Sequence, residues 1–127
     1  MRVFIVEDSP HLIDRLKCVV EVKGGKVVDS SDTETGALMG MQIFRPDMLI
    51  VDLCITQGSG IRIIEKARVL YPEMYILVYT NLVEGDCEEV CRKAGADIFL
   101  DKNRHYLELV SIIEALTEIY KFKMLAS

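Results

Sequence analysis

Three carboxylates, one hydroxyl and one amine stand where they could act together: Glu7 and Asp8, Asp52, Thr80 and Lys102. Each lies at the end of a short apolar run. Val3-Phe4-Ile5-Val6 leads into Glu7-Asp8, and Leu49-Ile50-Val51 leads into Asp52. Tyr75–Tyr79 leads into Thr80, and Ile98-Phe99-Leu100 precedes Asp101-Lys102. Acids crowded in a partly desolvated crevice repel one another, which raises their pKa values and costs folding stability. A hard divalent cation removes that cost. Magnesium takes oxygen ligands, keeps several waters, and is commonly held by one or two carboxylates together with phosphate oxygens. Lys102 could balance the acids without metal, and it is equally placed to pair with a phosphoryl oxygen; Thr80 offers a hydroxyl donor to another.

Taken singly, each feature has a plain alternative. Glu7-Asp8-Ser9 would favour a helix N-terminus through the helix dipole. Asp52 would be a turn residue, Thr80 a helix cap and Lys102 a solvated charge. The elements decide between these readings. Short apolar runs read as strands over Arg2–Glu7, Lys26–Ser30, Met48–Asp52, Tyr75–Thr80 and Asp97–Asp101, and Val3–Val6 and Leu49–Val51, which lack polar alternation, read as central strands covered on both faces. Segments of helical period alternate with them. Leu12, Ile13, Leu16, Val19 and Val20 form one apolar face, entered through Ser9 as N-cap with Pro10 at the first helical position. A second helix is expected from about Asp32 to Phe44, opened by a capping box between Ser31 and Glu34 and weakened by Gly36 and Gly40. Further helices are expected over Gly60 to Leu70, over Glu84 to Ala94, and from after Asn103 through Tyr120. Strict strand–helix alternation specifies an α/β fold with a parallel sheet. In such a sheet the functional crevice lies beyond the carboxyl ends of the strands, so all five residues share one edge.

The 127 residues suffice for one domain with a single core, and half of them are apolar. The net charge of −5 is opposite to the basic footprint of nucleic-acid binders, so no direct nucleic-acid partner is expected. No apolar run approaches a membrane span or a signal peptide, which points away from membranes and to a cytoplasmic location. Cys18, Cys54, Cys87 and Cys91 form no CxxC pair and read as reduced structural thiols. Cys87 and Cys91 would lie with Val90 and Ala94 on a buried helical stripe. His11 and His105 read as solvated surface residues. Residues 1–121 are expected to form the domain, and 122–127 a tail or the start of a linker.

The residue pattern is similar to that of response-regulator receiver domains over essentially the whole chain. The resemblance rests on Glu7-Asp8, on Asp52 followed eight positions later by Gly60, on Thr80, and on Gly95-Ala96-Asp97-Ile98-Phe99-Leu100-Asp101-Lys102. It implies a flavodoxin-like, doubly wound five-stranded parallel sheet in the order 2-1-3-4-5 with five helices. It further implies a phosphoacceptor signalling domain, not an enzyme, in which Asp52 takes a phosphoryl group from a sensor histidine kinase or phosphotransfer protein. Mg²⁺ would be bound by Asp8, Asp52 and the backbone carbonyl of Cys54, with Glu7 acting through water. Thr80 and Lys102 would hold the phosphoryl oxygens, and Phe99 would move with Thr80 to switch a face that binds an output domain or protein partner, a homodimer being compatible with it.

Three positions depart from the common family pattern. Asn103 follows Lys102 where proline is frequent; a cis bond before a non-proline would cost about 2.5–4 kcal/mol, so trans is expected. Asn81 is larger than the usual small residue and, with Cys54 and Leu82, would narrow the approach to Asp52. Thr56 replaces a frequent proline, so the loop Leu53–Ser59 is expected to be more mobile. Hydrolases that work through an aspartyl-phosphate offer a competing reading, but they need a second acid two residues after the nucleophile, where this chain has Cys54. A flavodoxin would need a phosphate loop after the first strand, and none is present.

Overall fold

The computed structural model describes residues 1–126, built on five strands and five helices. In chain order they are β1 (Arg2–Val6), α1 (Pro10–Val22), β2 (Lys26–Ser31), α2 (Glu34–Phe44), β3 (Met48–Val51), α3 (Gly60–Leu70), β4 (Tyr75–Thr80), α4 (Cys87–Ala94), β5 (Ile98–Asp101) and α5 (Tyr106–Ala126). All strand pairs are parallel and the order is β2-β1-β3-β4-β5. The chain therefore winds one way from β1 to β2 and the other way from β1 to β3, which opens a crevice at the carboxyl ends of β1 and β3.

Two separate cores, one on each face of the sheet, replace the single core expected and explain the unbroken apolar runs. Phe4 and Val6 of β1, with Leu49 and Val51 of β3, pack under α2, α3 and α4. Val3 and Ile5, with Met48 and Ile50, pack under α1 and α5. Successive strand residues point to opposite faces, so both faces need apolar residues and no polar alternation survives.

Several boundaries differ from the expected ones. β1 and β3 stop one residue early, at Val6 and Val51. The ladder's last bonds still reach the next residues, since Glu7 N donates to Ser31 O and Asp52 N to Val6 O. β2 gains Ser31, and β5 begins at Ile98. α2 is capped by Thr33, whose hydroxyl accepts from Gly36 N at 3.0 Å, so the capping box from Ser31 does not form. Ser31 instead accepts from Thr33 N. α4 starts at Cys87 because Glu84, Gly85 and Asp86 form a turn. Its expected buried stripe is only partial: Cys91 is fully buried, while Val90 is 38% exposed. α1 is capped as expected, Ser9 Oγ accepting from Leu12 N with Pro10 at the first position. α5 runs without a break through Lys121 to Ala126, across the expected boundary at 121/122. Among the described residues no helix is long and apolar enough to cross a membrane.

Gly40 is a packing requirement, where composition alone had marked it as a weakness. A Cβ there would lie 2.3 Å from Cε2 of Phe4, whose ring is fully buried. Gly40→Ala would gain helix propensity of about 1 kcal/mol but would push that ring against a packed core. A net loss of roughly 1–3 kcal/mol is expected, read as a lower urea midpoint at unchanged m-value.

Candidate functional site

The crevice at the ends of β1, β3, β4 and β5 brings together all five residues singled out above. Glu7 and Asp52 are buried, at 3% and 4% exposure, and Thr80 is fully buried. Asp8 is exposed at the rim. Ligand oxygens of Glu7, Asp8 and Asp52 lie within 4.8 Å of one another.

Each group has a definite set of partners. Asp52 Oδ1 accepts from the Thr80 hydroxyl at 2.7 Å and from Cys54 N at 3.1 Å. Asp52 Oδ2 accepts from Lys102 Nζ at 2.7 Å, and the same ammonium lies 2.8 Å from Glu7 Oε2. Glu7 Oε1 accepts from the amides of Asp8 and Ser9. Thr80 Oγ1, having given its hydrogen to Asp52, accepts from Leu82 N at 3.1 Å. The Thr80 hydroxyl thus points directly at Asp52.

The electrostatics follow from burial against pairing. Burial raises the Glu7 carboxyl above its ordinary value; Lys102 opposes that shift, while Asp8 and Asp52 add to it. Burial works against the Lys102 charge, but hydrogen bonds and charge from Asp52 and Glu7 outweigh it and hold the ammonium above its ordinary value. Desolvation, then the Asp52 carboxylate, pushes the Cys54 thiol up. A thiol kept protonated is a poor nucleophile. The acids suit a hard divalent ion: all-oxygen donors from three carboxylates, one reaching solvent and open to waters.

Backbone devices hold these groups in place. A Cβ on Gly60 would lie 2.8 Å from both Asp52 O and Leu53 Cα, so α3 can begin against the loop after Asp52 only with glycine there. The Lys102–Asn103 bond is trans, there being no cis peptide among the described residues. The turn carrying Lys102 is tied by Asp101, whose Oδ1 accepts from Asn103 N at 2.8 Å. His105 is half-buried and not simply solvated; its Nδ1 accepts from Asp101 N at 2.9 Å. His11 is exposed.

The loop after Asp52 corrects the expectation of mobility. Thr56 N donates to Asp32 O at 2.9 Å, a bond proline could not make. Thr56 Oγ1 donates to Asp32 Oδ2, and Glu34 N donates to Gln57 O. Glu34 Oε1 accepts from Ser59 N at 2.9 Å and from Arg62, while Oε2 accepts from Lys66. The Ser59 amide, then Arg62 and Lys66, hold the Glu34 carboxyl below its ordinary value despite some desolvation. Sequence reasoning missed Asp32 and Glu34 in this role, and assigned Glu34 to a helix cap.

Phe99 sits beside Val78 in the sheet and is 9% exposed in the core under α2–α4, away from the carboxylates. Asn81 and Leu82 are exposed where the chain leaves Thr80. Leu82 borders a groove of about 300 Å³ with Leu53, Ile61, Cys87 and Val90.

Comparison with known proteins places this arrangement. Residues 3–114 match the response regulator receiver domain family. The transcriptional regulatory protein PhoP of Escherichia coli is 32% identical over 117 residues, covering 91% of this chain and 52% of PhoP. The cell cycle transcriptional regulator CtrA of Caulobacter vibrioides is 26% identical over 115 residues, covering 91% of this chain and 49% of CtrA. The chain thus spans about half the length of these relatives. Among solved structures, a CheY-like response regulator receiver domain protein from Methanospirillum hungatei superposes with a TM-score of 0.84 at 22% identity, over 96% of this chain and 97% of that one. The BeF3-activated receiver domain of Klebsiella pneumoniae RstA gives 0.82 at 16% identity, over 91% and 97%. Both likenesses are of fold.

Proposed function

The chain belongs to the response regulator receiver family, phosphoacceptor signalling modules that work with histidine kinases, and from that premise we propose that Asp52 is its phosphoacceptor. The observation that carries the proposal is the Asp52 carboxylate, buried beside Glu7 and Asp8 and bonded by Thr80 and Lys102. A carboxylate oxygen of Asp52 attacks the phosphorus of a phosphohistidine; the P–N bond breaks, the leaving imidazole takes a proton, and an acyl phosphate forms. Thr80 and Lys102, which now donate to the two Asp52 oxygens, re-aim at the phosphoryl oxygens and neutralise their charge.

Asp8, Asp52 and the Cys54 carbonyl would hold Mg²⁺, with Glu7 acting through water; the ion supplies charge neutralisation of the phosphoryl oxygens when bound. Phe99 lies one strand from Thr80 and would follow its shift, changing the face of α4, β5 and α5 that an output domain or protein partner reads. Residues 1–121 form the receiver in this reading, with 122–127 as tail or linker, working in the cytoplasm. The test is incubation with a small phosphodonor, with and without Mg²⁺. One added phosphoryl group by intact mass, dependent on Mg²⁺, supports the proposal; no uptake at saturating donor and metal contradicts it.

Asn81, Leu82 and Cys54 border the approach to Asp52. A phosphodonor must come in line, and a hydrolysing water uses much the same path. Asn81 bulk therefore slows both loading and decay, and the apolar Leu82 gives water little to orient on. Asn81→Ala is expected to load faster in a stopped-flow assay at fixed Mg²⁺ and pH; slower loading would show that the amide assists transfer.

A further inference from the structure

We propose that His105 is a positioning residue for phosphoryl transfer: its ring closes the turn that aims Lys102 at Asp52. The inference rests on the reading of Asp52 as the phosphoacceptor, and it starts from the edge of the sheet. β5 pairs only with β4. An edge strand leaves one row of amides without a strand partner. The Lys102 amide donates into the sheet, to Thr80 O at 2.9 Å, so the Asp101 amide before it turns to the open edge. There it donates to His105 Nδ1 at 2.9 Å. Asp101 is only 9% exposed, and a buried amide needs a partner. The ring supplies the acceptor that a further strand would have offered.

The same residue ties that turn to the helix behind it. His105 N donates back to Asp101 O at 2.9 Å, so the two residues exchange two bonds across Lys102. Leu109 N donates to His105 O at 3.0 Å, which makes His105 the root of α5, a helix anchored by the buried Leu109 and Ile113. Lys102 therefore reaches Asp52 and Glu7 from a base fixed on both sides. The bond also sets the chemistry that the position requires. Nδ1 must be the unprotonated nitrogen, with the ring hydrogen on Nε2. An asparagine carries its acceptor Oδ1 where histidine carries Nδ1, one bond beyond Cγ; glutamine carries its acceptor one bond farther out, and alanine has none. Substitution can thus separate the acceptor from the bulk of the ring.

The test has two readouts on the full chain, one of which needs no phosphoryl group. Pulse labelling with acetic anhydride and peptide mapping reads the hold on Lys102, whose side chain is 15% exposed and paired with two carboxylates. Lys102 should label roughly 3- to 10-fold faster in His105→Ala and His105→Gln than in wild type, and at the wild-type rate in His105→Asn. Loading from acetyl phosphate at saturating Mg²⁺ should slow by a similar factor in the alanine and glutamine variants and be kept in the asparagine variant. The Mg²⁺ concentration for half-maximal loading should stay the same in all of them, a split that a general loss of stability would not produce. Wild-type labelling and loading in His105→Ala, or an equal defect in His105→Asn and His105→Ala, overturns the role of the acceptor. A raised Mg²⁺ requirement in the variants overturns the route through Lys102. Labelling that follows the acceptor series in a chain that takes up no phosphoryl group would uphold the hold on Lys102 and defeat the phosphoacceptor reading alone.

Discussion

Asp52→Asn is expected to take up no phosphoryl group from a small donor in saturating Mg²⁺, while unfolding at the same temperature as wild type, or a higher one, in metal-free buffer. The chemical half of this result follows because an amide oxygen is no nucleophile for phosphoryl transfer at neutral pH. The structural half follows from the geometry. Asparagine keeps an oxygen for the Thr80 hydroxyl and the Cys54 amide, which now share Asp52 Oδ1. It loses the bond from Oδ2 to Lys102, but Lys102 keeps Glu7 at 2.8 Å, and one acid of a crowded set is gone. The stability change should be level or favourable, within about 1 kcal/mol. Intact mass and thermal unfolding on the same preparation check both halves. A phosphoryl group gained elsewhere in the Asp52→Asn chain would defeat the assignment.

Lys102→Ala is expected to destabilise the metal-free protein at neutral pH by about 2–4 kcal/mol, and Mg²⁺ should restore most of the loss. The cause is two carboxylates losing a shared cation. The side chains of Glu7 and Asp52 are 3% and 5% exposed, and no other ammonium or guanidinium reaches either among the described ion pairs. The pH dependence has a definite sign. Glu7 already titrates above its ordinary value because of burial, and Lys102 is the group that opposes the shift. Without Lys102 the Glu7 carboxyl moves higher still. The folded chain then holds a proton that the unfolded chain releases, so stability falls as pH rises through that window. The deficit of Lys102→Ala should therefore shrink on acidification towards the raised Glu7 value. Mg²⁺ affinity should be unchanged or tighter, because a competing positive charge has gone. Thermal melts with a chelator and with Mg²⁺ across pH check this; weaker metal binding in Lys102→Ala would mean that the lysine organises the ligands.

The fold was legible because local pattern and topology agree. Val3–Val6 and Leu49–Val51 could be assigned as doubly covered strands from their lack of alternation alone, and the Ser9-Pro10 helix start needed only four residues of context. The sheet edge then followed from the strand ends, which brought Glu7, Asp52, Thr80 and Lys102 together. What stayed hidden depends on partners distant in sequence. Glu34 has a capping-box neighbour in Ser31, yet its carboxylate is taken by Ser59, Arg62 and Lys66, and no local rule ranks those against a cap. Thr56 read as a lost proline, when its amide is the donor that ties the loop to Asp32. Lys102 was open to two readings, a cation for the acids or one for a phosphoryl oxygen, and only the folded chain shows its ammonium between Glu7 and Asp52. Gly40 looked costly until the ring of Phe4 was found against it.

The central claim is that Asp52, and no other residue, carries the phosphoryl group. Its most direct test is phosphopeptide mapping of the wild-type chain after loading in Mg²⁺, with borohydride reduction to fix the acyl phosphate as a stable alcohol at its site. The account predicts one reduced residue, at Asp52, and none at Glu7, Asp8, His11 or His105. Label at any of those, with Asp52 unmodified, would contradict it.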